Sequence, residues 1–195
     1  MRRVVLFAED YAHETCISAL VYKIATEKSI DIDVIVRNAR GGHGKAVSEF
    51  ASYLKILPYE QEKLPDVIII AIDANCQTYL KTKTEIEKVN LQYQYLTIHA
   101  IPDPHIERWL LLDSSAFKTV LGQGCQAPDK KCEKNRYKRL LYEAVAATGV
   151  TPLLGGIEFA HDIISNMNIQ RAMKADASLK KFIEDLNRKF SEWDR

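Results

Sequence analysis

One apolar run, Val67-Ile68-Ile69-Ile70-Ala71-Ile72, constrains this chain more than any other stretch. A strand that is apolar at every position has no solvent face. It must be buried on both sides, as in a parallel sheet covered by helices. The run stops abruptly at Asp73-Ala74-Asn75. Open α/β sheets hold their ligands just past the C-terminal ends of their strands. Side chains two residues apart leave an extended chain on the same side, so Asp73 and Asn75 can converge on one hard cation as oxygen ligands. The same three residues also suit an Asx turn that closes a strand.

A second short run, residues 3–8, ends in Glu9-Asp10, with His13 and Glu14 close behind. Residues 13–28 then carry Ile17, Leu20, Val21 and Ile24 at helical spacing. Residues 30–37 alternate as a second strand, 66–72 form the third and 96–101 the fourth, with helices expected over 45–57 and 78–93. This βαβαβαβ order predicts an α/β fold: a Rossmann-like, mostly parallel four-stranded sheet flanked by helices. If the first and third strands are neighbours, Glu9 and Asp73 meet and form a site for a divalent cation. Glu14, Asp103 and Glu107 are further acids for such a site, and His13 is a candidate proton carrier.

Pro102-Asp103-Pro104 ends the fourth strand. Pro104 suits the first turn of a helix and Asp103 its N-cap. Asp103 and Glu107 would then share one face, serving either the helix dipole or a metal. Two basic stretches stand out. Arg40, His43 and Lys45 surround Gly41, Gly42 and Gly44 at a helix start, a pattern that offers backbone N–H groups to an anion or makes a simple turn. The spacing is not that of a P-loop. Lys134, Arg136 and Lys138 begin a later helix and suit either a nucleic-acid backbone or a solvated face. Residues 122–133 read as a polar loop dividing an α/β domain, residues 1–121, from a helical extension, residues 122–195. A last helix is expected over 172–190, with an apolar stripe at Leu179, Phe182, Ile183, Leu186 and Phe190.

The chain has 195 residues, 27 of them basic and 26 acidic, for a net charge of +1. That balance argues against binding nucleic acid by bulk charge and leaves local patches. No apolar stretch reaches the length of a membrane span, and no secretory leader is expected at the start. The expected location is the cytoplasm, where Cys16, Cys76, Cys125 and Cys132 would be free thiols. Their spacing matches no common zinc pattern.

These motifs carry a family resemblance. An acid after the first strand and an Asp-x-Asp after a later one resemble the Toprim fold of topoisomerases, primases and overcoming-lysogenization-defect (OLD) nucleases. Here the second motif is Asp73-Ala74-Asn75. Over most of its length the chain resembles a small stand-alone Toprim-like group, domain-of-unknown-function family 4276. That family opens with Val-Glu-Gly-x-Thr-Glu and continues to Pro-x-x-x-Ile-Glu-x-Trp-Leu-Leu-x-Asp. This chain has Ala8-Glu9-Asp10-Tyr11-Ala12-His13-Glu14, and Pro102 through Ile106-Glu107-Arg108-Trp109-Leu110-Leu111-Leu112-Asp113. The family's glycine is Asp10 here, and its second Glu either falls one residue late, at Glu14, or is replaced by His13. The resemblance implies a nuclease dependent on Mg²⁺ or Mn²⁺, cutting DNA or RNA, tRNA included. It implies Glu9 and Asp73 as first ligands and Glu107 as a site residue. It also implies work beside a separate ABC/SMC-like ATPase subunit in a phage-defence module. The departure at Asn75 opens an alternative: a Toprim-fold subunit of weak chemistry that binds a partner. Homo-oligomers fit either reading.

Overall fold

We describe residues 1–38, 41–59 and 64–193 of a computed structural model. Strands β1 (Arg2–Ala8), β2 (Ile32–Asn38), β3 (Val67–Ala71) and β4 (Thr97–Ala100) form one sheet, all parallel, in the order β2-β1-β3-β4. The register runs from Arg2 opposite Ile32 to Ala8 opposite Asn38, and from Val4 opposite Val67 to Ala8 opposite Ala71. The chain leaves β1 for β2 on one side, then crosses back to place β3 on the other. That reversal opens a crevice beyond the C-terminal ends of β1 and β3, where Glu9 and Asp73 follow directly.

Alternation along the strands divides the core between the two faces of the sheet. Val5, Phe7, Ile68 and Ile70 pack with Phe50 and Tyr53 of α2 (His43–Ile56) and Ile86 of α3 (Tyr79–Val89). Val4, Leu6, Ile69 and Ile98 pack with Ile17, Leu20 and Ile24 of α1 (Tyr11–Glu27). Every residue of β3 is buried. Full burial of such a side chain is worth about 1.5–3 kcal/mol, which is why the apolar run could only become a central strand.

The C-terminal part holds α4 (Glu107–Leu110), α5 (Ser114–Leu121), α6 (Arg136–Ala146), α7 (Ala160–Asn166), α8 (Ile169–Ala175) and α9 (Ala177–Trp193). Phe117, Leu141, Ile163, Phe182, Leu186 and Phe190 from these helices join the core that covers the α1 face. The extension therefore completes the core of the α/β part. Gly156 permits one close approach: it has φ +96°, and a Cβ there would stand 2.9 Å from Leu141 Cγ.

Four local expectations are corrected. No helix begins at Pro104 and Asp103 caps nothing. Instead the 102–105 backbone runs beside residues 73–75, with Ala74 N–H donating to Pro102 O (2.8 Å) and Asn75 N–H to Pro104 O (3.2 Å). Helix α3 stops at Val89 because buried Asn90 turns inward, accepting from Tyr93 N–H (3.1 Å) and donating to Thr97 Oγ1 (2.8 Å). The last helical region is split at Asp176, whose carboxylate accepts from Leu179 N–H (2.9 Å) to start α9. Cys76 and Cys132 are joined in a disulfide, while Cys16 and Cys125 are free. The pair lies 56 residues apart in sequence, and only the fold brings the two loops together. Among the described residues, no helix is long and apolar enough to cross a membrane.

Candidate functional site

Asp73 leaves the end of β3 already buried, with each oxygen engaged. Its Oδ1 accepts from His13 Nε2 (3.0 Å) and from Ile106 N–H (2.8 Å), and its Oδ2 from His105 Nδ1 (2.9 Å). His13 sits behind it on α1, buried, with its other nitrogen donating to Asp10 Oδ1 (2.8 Å). Asp10 also caps α1 by accepting from His13 N–H (3.1 Å). The result is a line of alternating charge, Asp10–His13–Asp73–His105, stitched across three elements.

The electrostatics follow from that line. Burial opposes a charged His13, yet Asp73 and Asp10 on either side raise its pKa well above the ordinary value. Burial would also raise Asp73, but His13 and His105 hold it below the ordinary carboxylate value. Asp10 is desolvated too, and His13 brings it down to about 2. The hydrogen bond to Asp73 raises His105. An imidazole facing two carboxylates can donate from both nitrogens, and the pair of anions favours its protonated form. His13 is thus a fixed cation that holds Asp73 in place, behind the surface that a substrate can touch.

A cavity of about 200 Å³ opens in front, lined by Glu9, Asp10, Asp73, Asn75, His105 and Glu107 together with Lys134, Asn135, Tyr137 and Lys138. Glu9 reaches it from the end of β1, its Oε2 accepting from Asp73 N–H (3.0 Å). Glu107 comes from the start of α4 and is 2% exposed. Its Oε1 lies 3.8 Å from Lys138 Nζ, and its buried Oε2 has no hydrogen-bond partner. Burial raises the pKa of both Glu9 and Glu107, and the Asp73 charge raises them further. Two carboxylates whose pKa burial and a third carboxylate raise are a setting that a cation would relieve.

The carboxylate oxygens of Glu9 and Glu107 are the hard donors that Mg²⁺ and Mn²⁺ take. Among the described residues, no three His, Cys, Asp or Glu groups stand together as a closed metal cage. Mg²⁺ is commonly held by one or two carboxylates plus waters and substrate phosphates, and the donor set fits that mode. Asp73 fits it less well than expected, because its oxygens already serve His13, His105 and Ile106.

The backbone after β3 is strained. Asn75 (φ +46°), Cys76 (φ +66°) and Thr78 (φ +82°) all have positive φ, a conformation costly for a β-branched residue such as Thr78. Cys76 ties this turn to the loop before α6, which carries Lys134 and Asn135. Tyr137 fixes that loop from below: its hydroxyl accepts from Lys131 N–H (2.8 Å), and its ring lies 6.0 Å from His105.

Other expected site residues lie elsewhere. Asp103 turns away to Lys130 (2.7 Å). Glu14 is on α1 beyond His13 and does not line the cavity. His43 pairs with Glu85 (2.9 Å) and Lys45 with Glu49 (3.4 Å), both outside the cavity. Arg136 folds back onto Asp129 and the Tyr137 hydroxyl, so its guanidinium braces the loop instead of facing the cavity. Arg40 lies outside the described residues. Sequence reasoning named Asp10 only as part of the acid cluster after the first strand, and overlooked His105 and Tyr137. The signal for His105 was its place between Pro104 and Glu107, just past the fourth strand. No family model, curated protein or solved structure matches the chain.

Proposed function

We propose that this chain is a Mg²⁺- or Mn²⁺-dependent nuclease that hydrolyses phosphodiester bonds in DNA or RNA. One observation carries the reading: Glu107 is buried in the cavity that Glu9 also lines at the switch point of the sheet, with an oxygen that lacks a partner. Glu9 and Glu107 would hold the metal, which when bound lowers the pKa of a water and neutralises charge on the scissile phosphate. Lys134 and Lys138 line the same cavity and would bind phosphate oxygens. His105 lines the cavity with its Nδ1 held by Asp73, so its ring is oriented to pass a proton at Nε2. Asp73 acts through its neighbours, positioning His105 directly and sharing the His13 charge. The motif resemblance supports a companion ATPase chain as the source of energy and control.

The test is cleavage of plasmid DNA, single-stranded DNA and total tRNA with Mg²⁺ or Mn²⁺, alone and with any ATPase encoded beside it. Wild type is compared with Glu107→Gln, which keeps shape and removes charge. Cutting that is lost in Glu107→Gln supports the reading. Cutting that survives it refutes the site. The engaged oxygens of Asp73 favour a second reading, a partner-binding subunit of weak chemistry. Absence of both metal binding, measured by calorimetry, and cleavage would select it.

A further inference from the structure

A second cavity, of about 280 Å³, adjoins the acidic one and has a different character. Its walls are Tyr11, Ala12, Leu154, Gly155 and Ile157, with Asp10, Glu107 and Lys138 along one side. Those last three residues also line the acidic cavity. The two spaces therefore meet at one shared wall, apolar on one side and charged on the other. Tyr11, at the first turn of α1, is 52% exposed, and Leu154 is 56% exposed. An aromatic ring and an aliphatic side chain left open beside a phosphate-binding lysine match a nucleotide, whose planar base and anionic phosphate differ in the same way.

We infer that this apolar cavity is a subsite for one unpaired nucleobase of the substrate strand, with Tyr11 as its stacking platform. The inference rests on the nuclease reading and names its substrate: a strand whose base is free of its complement. A base within a duplex is stacked above and below and paired at its edge, so it cannot enter a side cavity unless it is extruded. Stacking on an aromatic ring tolerates any base, because each has a π-face. The subsite would therefore select single-stranded form with little sequence preference. Lys138, at the shared wall, takes the phosphate next to that base. Gly155 leaves open space at the cavity rim, with nothing within 4 Å of where a Cβ would stand.

The experiment measures binding by fluorescence anisotropy, on the full chain, with Ca²⁺ in place of Mg²⁺. The probes are a labelled oligothymidylate, an abasic oligomer of equal length, and a duplex. Wild type is expected to bind the oligothymidylate about tenfold more tightly than the abasic strand. Tyr11→Ala should erase that preference and Tyr11→Phe restore it. Leu154→Ala, an exposed change that trims the apolar lining and adds no charge, should weaken the oligothymidylate alone. Equal affinity for intact and abasic strands, tighter binding of duplex, or a preference that survives Tyr11→Ala would each overturn the subsite while leaving the nuclease reading standing. No binding to any nucleic acid overturns both.

Discussion

Buried charge is handled in opposite ways within one short segment, residues 105–113. At its front, Glu107 faces the acidic cavity with one distant lysine and an oxygen that has no partner. At its back, Arg108 is paired with Asp176 through one guanidinium nitrogen while its Nε has no partner, and Asp176 also accepts from Ser178 Oγ and Leu179 N–H. Asp113 accepts from Ser115, Ala116 and Asn168 N–H groups and from the Arg171 guanidinium, tying α5 to α8. A buried ion costs several kcal/mol unless it is matched by charge and hydrogen bonds. The matched ions at the back hold the fold together. Glu107 at the front, with one lysine at 3.8 Å and one oxygen without a hydrogen bond, is the less compensated of these carboxylates and costs stability.

The contrast can be broken from either side. Arg108→Met leaves Asp176 buried without its cation and should cost about 3–5 kcal/mol, read as a shift in the urea midpoint. Glu107→Gln should do the reverse. On the proposed nuclease reading, cleavage should fall by about tenfold to a hundredfold, while thermal stability is unchanged or raised. A large loss of stability in Glu107→Gln would place that residue among the structural ions and erase the distinction.

The disulfide sharpens the same comparison, since it clamps the strained turn after Asp73 to the loop that carries Lys134. Cys132→Ser should cost about 2–4 kcal/mol by releasing the loop closed in the unfolded chain. Its effect on cleavage should exceed what stability alone explains. Chemical unfolding and turnover measured on the same samples separate the two.

Acid titration tests Asp113. Burial would raise its carboxyl, but the Asn168 and Ala116 N–H groups and Arg171 hold it below the ordinary value. A carboxyl whose pKa is lower folded than unfolded adds stability above the ordinary Asp pKa. That stability is lost as pH falls through the ordinary value toward the folded one. Asp113→Asn should therefore cost about 1–3 kcal/mol at neutral pH, and the gap from wild type should shrink on acidification. A gap independent of pH would show that Asp113 acts through shape alone. The smallest effect belongs to Lys45→Ala, which removes an exposed pair with Glu49. The cost should be below about 1 kcal/mol, with nucleic-acid affinity far less affected than by Lys138→Ala.

How much of this could be read from the residues depends on the range of the interaction. Val67 to Ile72 required a covered strand, because burial on both faces is written into an unbroken apolar run. The βαβ order then required parallel neighbours, and Glu9 and Asp73 follow β1 and β3 by chain connectivity alone. The pairing of basic groups was not legible. Lys45 and Lys138 look alike along the chain, yet one meets Glu49 on its own helix and the other faces Glu107 from a different one.

By itself, then, the sequence determined the layers, the parallel sheet and the position of two acids at its edge. These depend on periodicity and on neighbours close along the chain. The tertiary structure decided which charges are matched. His13 became a fixed cation because Asp10 and Asp73 flank it, and His105 reached Asp73 because Pro102 and Pro104 hold the backbone beside residues 74 and 75. Compensation of a buried charge is a sum over everything within a few ångströms, and most of those groups come from distant parts of the chain.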